Sequence, residues 1–339
     1  MKAAVFYGKE DLRIEDIAMP TIQPGYVLIR IKACGICGTD MHIFDGDEGA
    51  APTPSGTVLG HEFAGEVVEV GEGVTSVKPG DRVCVDPNWL CNECDYCLGG
   101  IGHFCENITG IGTTVNGGFA EYCCVPKSQV YKFSDKITYE MGAMTEPVAC
   151  CLHGIDMCHI EPGATVAVLG GGMIGLLMLQ LAKLRGAAKL ILSEPVAEKR
   201  ALAEKLGADI TIDPLTENIS KVLADNGIKR IDTVIECVGK PATIEQAISI
   251  AGNKSTVMMF GLTKPNDTIS IKPFEIFKKE ITLKASFINP YTQKRALALI
   301  DSGRIDVSSM IYKTASVDKL PDILSDKKER TMGKYIITF

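Results

Sequence analysis

Two textures of apolar and polar positions divide the chain. Over roughly residues 1–148, apolar residues come in short β-rich runs, "AAVFY", "VLIRIKA", "EFAGEVVEVG" and "DRVCV", broken by turn signals such as Pro24-Gly25 and Pro79-Gly80. Short apolar runs bounded by such residues predict strands, here of an irregular β-barrel-type domain. From about Pro162 the pattern becomes hydrophobic strand-like runs, "ATVAVLG", "KLILSEP", "DITID", "DTVIECVG", "STVMMFG" and "ITLKAS", interleaved with helical repeats such as "AEKRALAEKLG" and "TIEQAISIAG". Alternating β and α units with strands apolar on both faces predict a parallel, doubly wound sheet. We place this α/β domain at residues 149–286. The tail, 287–339, holds the helical pattern "YTQKRALALIDSG" and a closing strand "KYIITF", and is expected to complete the first domain.

Length and composition narrow the class. With 339 residues, 46% hydrophobic and 23% charged, the chain reads as a globular protein of about two domains. Charges enter the N-terminal stretch "MKAAVFYGKEDLRIED" before an apolar run of signal-peptide length can form, so the expected location is the cytoplasm. The longest run without polar side chains, Val166 to Leu179, is short of a membrane span and contains four glycines. A formal net charge of −7 gives no attraction to phosphate backbones or anionic lipid, which argues against nucleic-acid and membrane partners.

Cysteine changes the picture more than charge does. Thirteen is an odd number, and in a reducing compartment a tight group of thiols more often holds a metal than forms a disulfide framework. Cys91, Cys94, Cys97 and Cys105 stand at C-x2-C-x2-C-x7-C. Zinc suits four thiolates at this spacing. An iron–sulfur cluster is the rival, although its usual run continues x3-C-P, whereas seven residues and then Glu106 follow here. Four protein ligands leave no open position, so this ion would be structural. A second group is thinner: "CGICGTDMHIF" and "LGHEF" offer Cys37, His61 and Glu62, with Asp40 able to orient the imidazole.

A dinucleotide signature lies where the texture changes. In "ATVAVLGGGMIGLLMLQLAKLRGA" an apolar strand runs into Gly170-x-Gly172-x-x-Gly175 and then a helix opened by Met173 and Ile174. The glycines permit the tight turn, the backbone's approach to pyrophosphate and close helix–strand packing. Glu194, nineteen residues after Gly175, ends the next strand, where a carboxylate can accept from ribose hydroxyls. It favours NAD over NADP, and nearby Lys199 and Arg200 can soften that preference. Two later strand ends, Cys237-Val238-Gly239 and Phe260-Gly261-Leu262, lie where a bound cofactor would cross the sheet.

Taken together, Cys37-Gly38-Thr39-Asp40 with His42, Gly60-His61-Glu62, the four-cysteine loop and the glycine motif resemble the zinc-dependent medium-chain dehydrogenase/reductase family across essentially the whole chain. The resemblance implies a GroES-like catalytic domain on a Rossmann partner and two zinc ions per chain, one catalytic and one structural. It assigns the third ligand of the catalytic zinc, beside Cys37 and His61, to Glu146, with Cys150 and Cys151 as competitors. It implies oxidation of an alcohol, the metal polarising its oxygen while hydride passes to nicotinamide, with Thr39 and His42 relaying the proton outward and Glu62 tuning or transiently joining the metal. Homotetramers are common in the family and are expected here. Glu146, "TEPVACCLHGID" and "GGFAEYCCVP" look most like the polyol branch, whose sorbitol-type members have Arg and Tyr where this chain has Ile288 and Asn289. Phe44, Phe119, Phe287 and Asn289 are the candidate pocket wall. The alternatives are an L-threonine 3-dehydrogenase or 2,3-butanediol dehydrogenase and, more remotely, a non-catalytic zinc- and nucleotide-binding protein.

Overall fold

The computed structural model describes residues 1–47 and 52–339. The chain folds into two compact units, Met1–Ala149 with Asn289–Phe339, and Cys150–Ile288. Among the described residues no helix is long and apolar enough to cross a membrane.

The first unit is a curved antiparallel assembly centred on the long strand Tyr26–Gly35, which pairs with Glu62–Val70, with Tyr122–Pro126 and with the closing strand Lys334–Thr338. Glu62–Val70 carries the sheet on to Arg82–Val85 and Val130–Lys132, and Lys334–Thr338 carries it to Ile311–Ser316. A three-stranded sheet of Asp11–Asp16, Lys2–Gly8 and Thr57–Val58 completes the β-structure that surrounds the core. Alternating apolar positions of these strands supply that core, which includes Val27, Ile29 and Ile31 from the central strand and Phe63 and Val67 from its neighbour. Phe44 and Phe119 also belong to it, at 3% and 0% exposure. The expectation that they line a pocket is therefore corrected: both rings are packed among apolar neighbours, the burial from which large side chains gain most.

Asn289 is likewise an internal strut. At 1% exposure it donates to Asp86 Oδ1 and Gln293 Oε1, 3.2 Å each, and accepts from the Asn88 amide. All three of these partners lie within this unit, and both amide hydrogens are taken up by them. Burial holds the Asp86 carboxyl up at about 6, despite the stabilising hydrogen bonds from Asn88 and Asn289. The sign follows from linkage: the folded state keeps its proton more tightly than the unfolded chain, so stability falls as pH rises from ~4 to ~6, by about 3 kcal/mol, and is then level. Asp86→Asn retains an oxygen for the same two donors but cannot ionise. Urea unfolding across pH 4–7 is expected to show that segment flattened, with the variant more stable than wild type at pH 7; an unchanged slope would refute the assignment.

The second unit is a six-stranded, all-parallel sheet in the order Ile210–Ile212, Lys189–Ser193, Thr165–Leu169, Thr233–Glu236, Thr256–Met259, Thr282–Ala285. Numbered along the chain this is 3-2-1-4-5-6, the doubly wound order of dinucleotide-binding folds, and it confirms the fold class expected from the apolar strands. Its central strands are buried on both faces, as the run "TVAVL" requires, whereas the edge strand Thr282–Ala285 has Thr282 and Ala285 exposed.

Candidate functional site

The strand Tyr26–Gly35 delivers the chain to Cys37, which is the N-cap of the short helix Gly38–Phe44. Asp40 in the first turn turns back, its Oδ2 accepting the Cys37 N–H at 2.8 Å. The strand Glu62–Val70 begins beside it, and Gly60-His61 precedes that strand. Gly60 has φ +95, and a Cβ there would lie 2.8 Å from both the Cys34 sulfur and the Phe119 ring. Glycine is therefore required twice, by the left-handed backbone and by the space, to bring His61 round to Cys37.

Cys37, His61 and Glu62 converge, with their candidate donor atoms all within 4.8 Å of one another. His61 and Glu62 are buried, and Asp40 is fully buried behind them with its Oδ1 3.4 Å from His61 Nδ1. Three polar atoms around this point, Asp40 Oδ1, His61 Nδ1 and Glu62 Oε1, have no hydrogen-bond partner. Leaving such atoms unsatisfied costs about 1–3 kcal/mol each, more for charged groups, which a divalent cation would offset. Burial lowers the His61 pKa, but the charges of Asp40 and Cys37 outweigh it and hold the imidazole well above its ordinary value. A thiolate, an imidazole and a carboxylate form a donor set that fits zinc and leaves a fourth position.

Glu146 does not join them. It is buried in the first turn of the helix Thr145–Cys158, outside the convergent group, and the third donor present is Glu62. Cys150 and Cys151 lie farther along that helix, also outside the group. Thr39 is half-buried on the Cys37 helix, and His42 lies one turn on, its side chain 35% exposed with Nδ1 3.2 Å from Asp47 Oδ2. A residue that sequence reasoning missed stands behind Glu62: the Lys334 ammonium donates to Glu62 Oε2 and to the Ile36 carbonyl, the latter at 2.9 Å. The available signal was a lone lysine opening an apolar closing strand, too weak to interpret without its partner.

Cys91, Cys94, Cys97 and Cys105 also come together within 4.8 Å. The Cys91 sulfur accepts the Cys94 N–H, and the Cys105 sulfur the Cys91 N–H, each at 3.4 Å. Backbone N–H groups of Glu93 and Cys94 draw Cys91 down to about 6, while burial and the adjacent thiols hold Cys97 up at about 12. Four sulfurs this close cannot all ionise without a cation between them, which again fits zinc.

In the second unit, Thr165–Leu169 ends at Gly170, φ +98, and the helix Met173–Leu184 starts after Gly172. A Cβ on Gly175 would run into the Gly170 carbonyl oxygen, whereas one on Gly172 would meet nothing, so Gly175 serves packing and Gly172 faces open space. Glu194 is held by two backbone donors, Gly171 N–H at 2.7 Å and Val196 N–H at 2.9 Å. Arg200 donates to the Glu194 and Pro195 carbonyls and lies 3.5 Å from Asp213. Lys199 is its neighbour on the helix Ala197–Leu206. Glu236, also missed from sequence, is fully buried at the end of Thr233–Glu236 and ties the later strand ends together. Its carboxylate accepts from Val238 and Gly239 N–H and from the Thr243 hydroxyl, and its carbonyl from Phe260 and Gly261 N–H. The loops bearing Cys237 and Val238, and Phe260 and Gly261, are thus fixed at the carboxyl edge of one sheet. Phe287, 41% exposed, is the last residue but one of this unit.

Comparison with known proteins agrees with both halves. Residues 23–135 match the alcohol dehydrogenase GroES-like domain, and residues 174–302 match the zinc-binding dehydrogenase domain. The chain is 35% identical over 312 residues to D-arabitol-phosphate dehydrogenase of Enterococcus avium, covering 90% of this chain and 88% of that one. It is 33% identical over 348 residues to L-threonine 3-dehydrogenase of Pyrococcus horikoshii, covering 99% and 97%. A solved zinc-binding dehydrogenase of Sinorhizobium meliloti, bound to NADP, superposes with a TM-score of 0.95 at 38% identity over 100% of this chain and 99% of that one.

Proposed function

Since the chain belongs to the zinc-binding alcohol dehydrogenase family and is an oxidoreductase acting on CH–OH groups, we propose that it oxidises a secondary hydroxyl of a polyol to a ketone with NAD as acceptor. The observation that carries this reading is the convergence of Cys37, His61 and Glu62, where Asp40 Oδ1, His61 Nδ1 and Glu62 Oε1 are buried without hydrogen-bond partners. Bound there, zinc would act as a Lewis acid on the alcohol oxygen, and NAD would take the hydride. The chain's own residues do the rest. Asp40 fixes the Cys37 backbone and faces the His61 ring, so two ligands share one buried anchor. Thr39 offers a hydroxyl for the departing proton, and partly exposed His42 passes it to solvent. The four-cysteine group holds a second, structural zinc.

On the nucleotide side, the N–H groups opening Met173–Leu184 and the open space at Gly172 suit a pyrophosphate. Glu194 would accept from the adenosine ribose and repel a 2′-phosphate. Arg200, committed to two carbonyls and Asp213, is poorly placed to reverse that preference, so NAD is favoured even though the S. meliloti relative carries NADP. The unpaired outer edge of Thr282–Ala285 and the exposed Phe274 and Phe277 beside it support self-association, and we propose a homotetramer. A reducing, cytoplasmic setting suits thirteen cysteines with no disulfide among the described residues.

A second reading, L-threonine 3-dehydrogenase, is favoured by the 33% identity to the Pyrococcus horikoshii enzyme over nearly the whole chain. NADH absorbance separates the two in a panel of alditols, alditol phosphates, L-threonine and 2,3-butanediol, each with and without a chelator. A chelator-sensitive rise with an alditol is expected. A rise with threonine alone would select the second reading, and silence on all, with zinc and NAD bound, would refute both.

A further inference from the structure

Lys334 opens the strand Lys334–Thr338, yet its side chain is 2% exposed. Antiparallel pairing of Ile336 with Gly35 sets this strand against the one that leads to Cys37, so Lys334 lies beside Gly35 and Ile36. Its ammonium donates to the Ile36 carbonyl and to Glu62 Oε2, while the other carboxylate oxygen, Oε1, is buried without a hydrogen-bond partner. A Cβ on Gly35 would collide with Glu62 Oε2 and stand 2.8 Å from Lys334 Cε, so the glycine leaves the space the pair occupies.

Stability does not call for this arrangement. A buried ion pair is often matched or bettered by apolar residues of similar volume, because desolvating both charges offsets their attraction. What the pair does determine is orientation: with Oε2 clamped and backed by the Ile36 carbonyl, Glu62 has one oxygen left and one direction in which to present it. Resting on the metal-centre reading above, we propose that Lys334 is a positioning residue for that centre, clamping Glu62 Oε2 so that Oε1 is turned to the ion as a single-oxygen ligand. Partners of this kind behind a metal ligand are worth roughly 10–100-fold in affinity.

Zinc release to a colorimetric chelator, counted per chain on the full-length protein, tests this without reference to turnover, and the four-cysteine ion serves as an internal standard. Wild type is expected to hold two ions. Lys334→Met is expected to hold the four-cysteine ion normally and to bind the other at least about tenfold more weakly. In the Glu62→Gln background the lysine has no carboxylate to clamp, so adding Lys334→Met, which also removes the buried ammonium left unpaired there, is expected to cause no further loss of the ion; the double variant buries no unpaired charge, so this comparison also decides the matter if Lys334→Met alone does not fold. Two ions in wild type with unchanged or tighter binding in Lys334→Met, or a further tenfold loss on the Glu62→Gln background, would overturn the proposal alone. A single ion in wild type would overturn the metal-centre reading and the proposal with it.

Discussion

Cys37→Ser is expected to lower kcat/KM about a thousandfold or more while leaving the protein folded. Serine is among the favoured N-cap residues, so the helix Gly38–Phe44 keeps its start, and the Asp40 contact survives because it is made to the backbone N–H of residue 37. What changes is the donor. A hydroxyl does not ionise near neutrality, so the proposed centre would lose a sulfur ligand and with it the cation expected to polarise the substrate. A thousandfold loss corresponds to about 4 kcal/mol of transition-state stabilisation, which is what a Lewis acid of this kind supplies. Steady-state NADH formation with the best alditol, beside far-ultraviolet circular dichroism and a melting curve, checks both parts. Retention of a tenth of the activity would remove Cys37 from the ligand set.

Cys94→Ser should do the reverse, sparing the chemistry at first and loosening the structure. Cys94 is the N-cap of the four-residue helix Asp95–Leu98, so serine again preserves the cap and isolates the metal's contribution. Across residues 91–105 only Gly102 and Cys105 are buried, and Leu98, Ile101 and Phe104 are exposed at 73%, 45% and 51%. Such a lobe has almost no core of its own. Structural zinc contributes on the order of 10 kcal/mol in small thiolate sites, so its loss should leave the lobe without local stability. Limited proteolysis is expected to cut within 92–104 in the variant and not in wild type, with one zinc lost per chain. An uncut lobe would mean that packing rather than metal holds it. The two serine variants form a contrast: the same substitution at two N-caps, one expected to stop the reaction and the other to melt a loop.

The group of Cys37, His61 and Glu62 illustrates how far local sequence reaches. Gly60-His61-Glu62 and Cys37-x-x-Asp40 are each within a few residues, so Cys37, His61 and Glu62 could be named from the chain as candidate donors, with Glu146 added by resemblance. Resemblance pointed to Glu146; the structure brings Glu62 to Cys37 and His61 and leaves Glu146 outside the group. Glu62 sits at the start of a strand whose register against Tyr26–Gly35 pairs it with Gly35, and that pairing brings it beside Cys37. Phe44, Phe119 and Asn289 make the same point in the negative. An aromatic or an amide near a motif can line a pocket or fill a core, and only the packing around it distinguishes the two.

The sequence by itself determined the class of the fold, the four-cysteine spacing and the glycine turn with Glu194 two strand-lengths on, because strand periodicity, metal-ligand spacing and a phosphate-binding turn are all short-range requirements. Only the tertiary structure decided that Lys334 stands behind Glu62, 272 residues away, that Asp86 is buried with Asn289, and that Glu236 ties two strand ends into one edge. Those contacts follow from strand pairing and register across the whole chain, in which a buried charge finds its partner by where the sheet places it rather than by how near it lies in sequence.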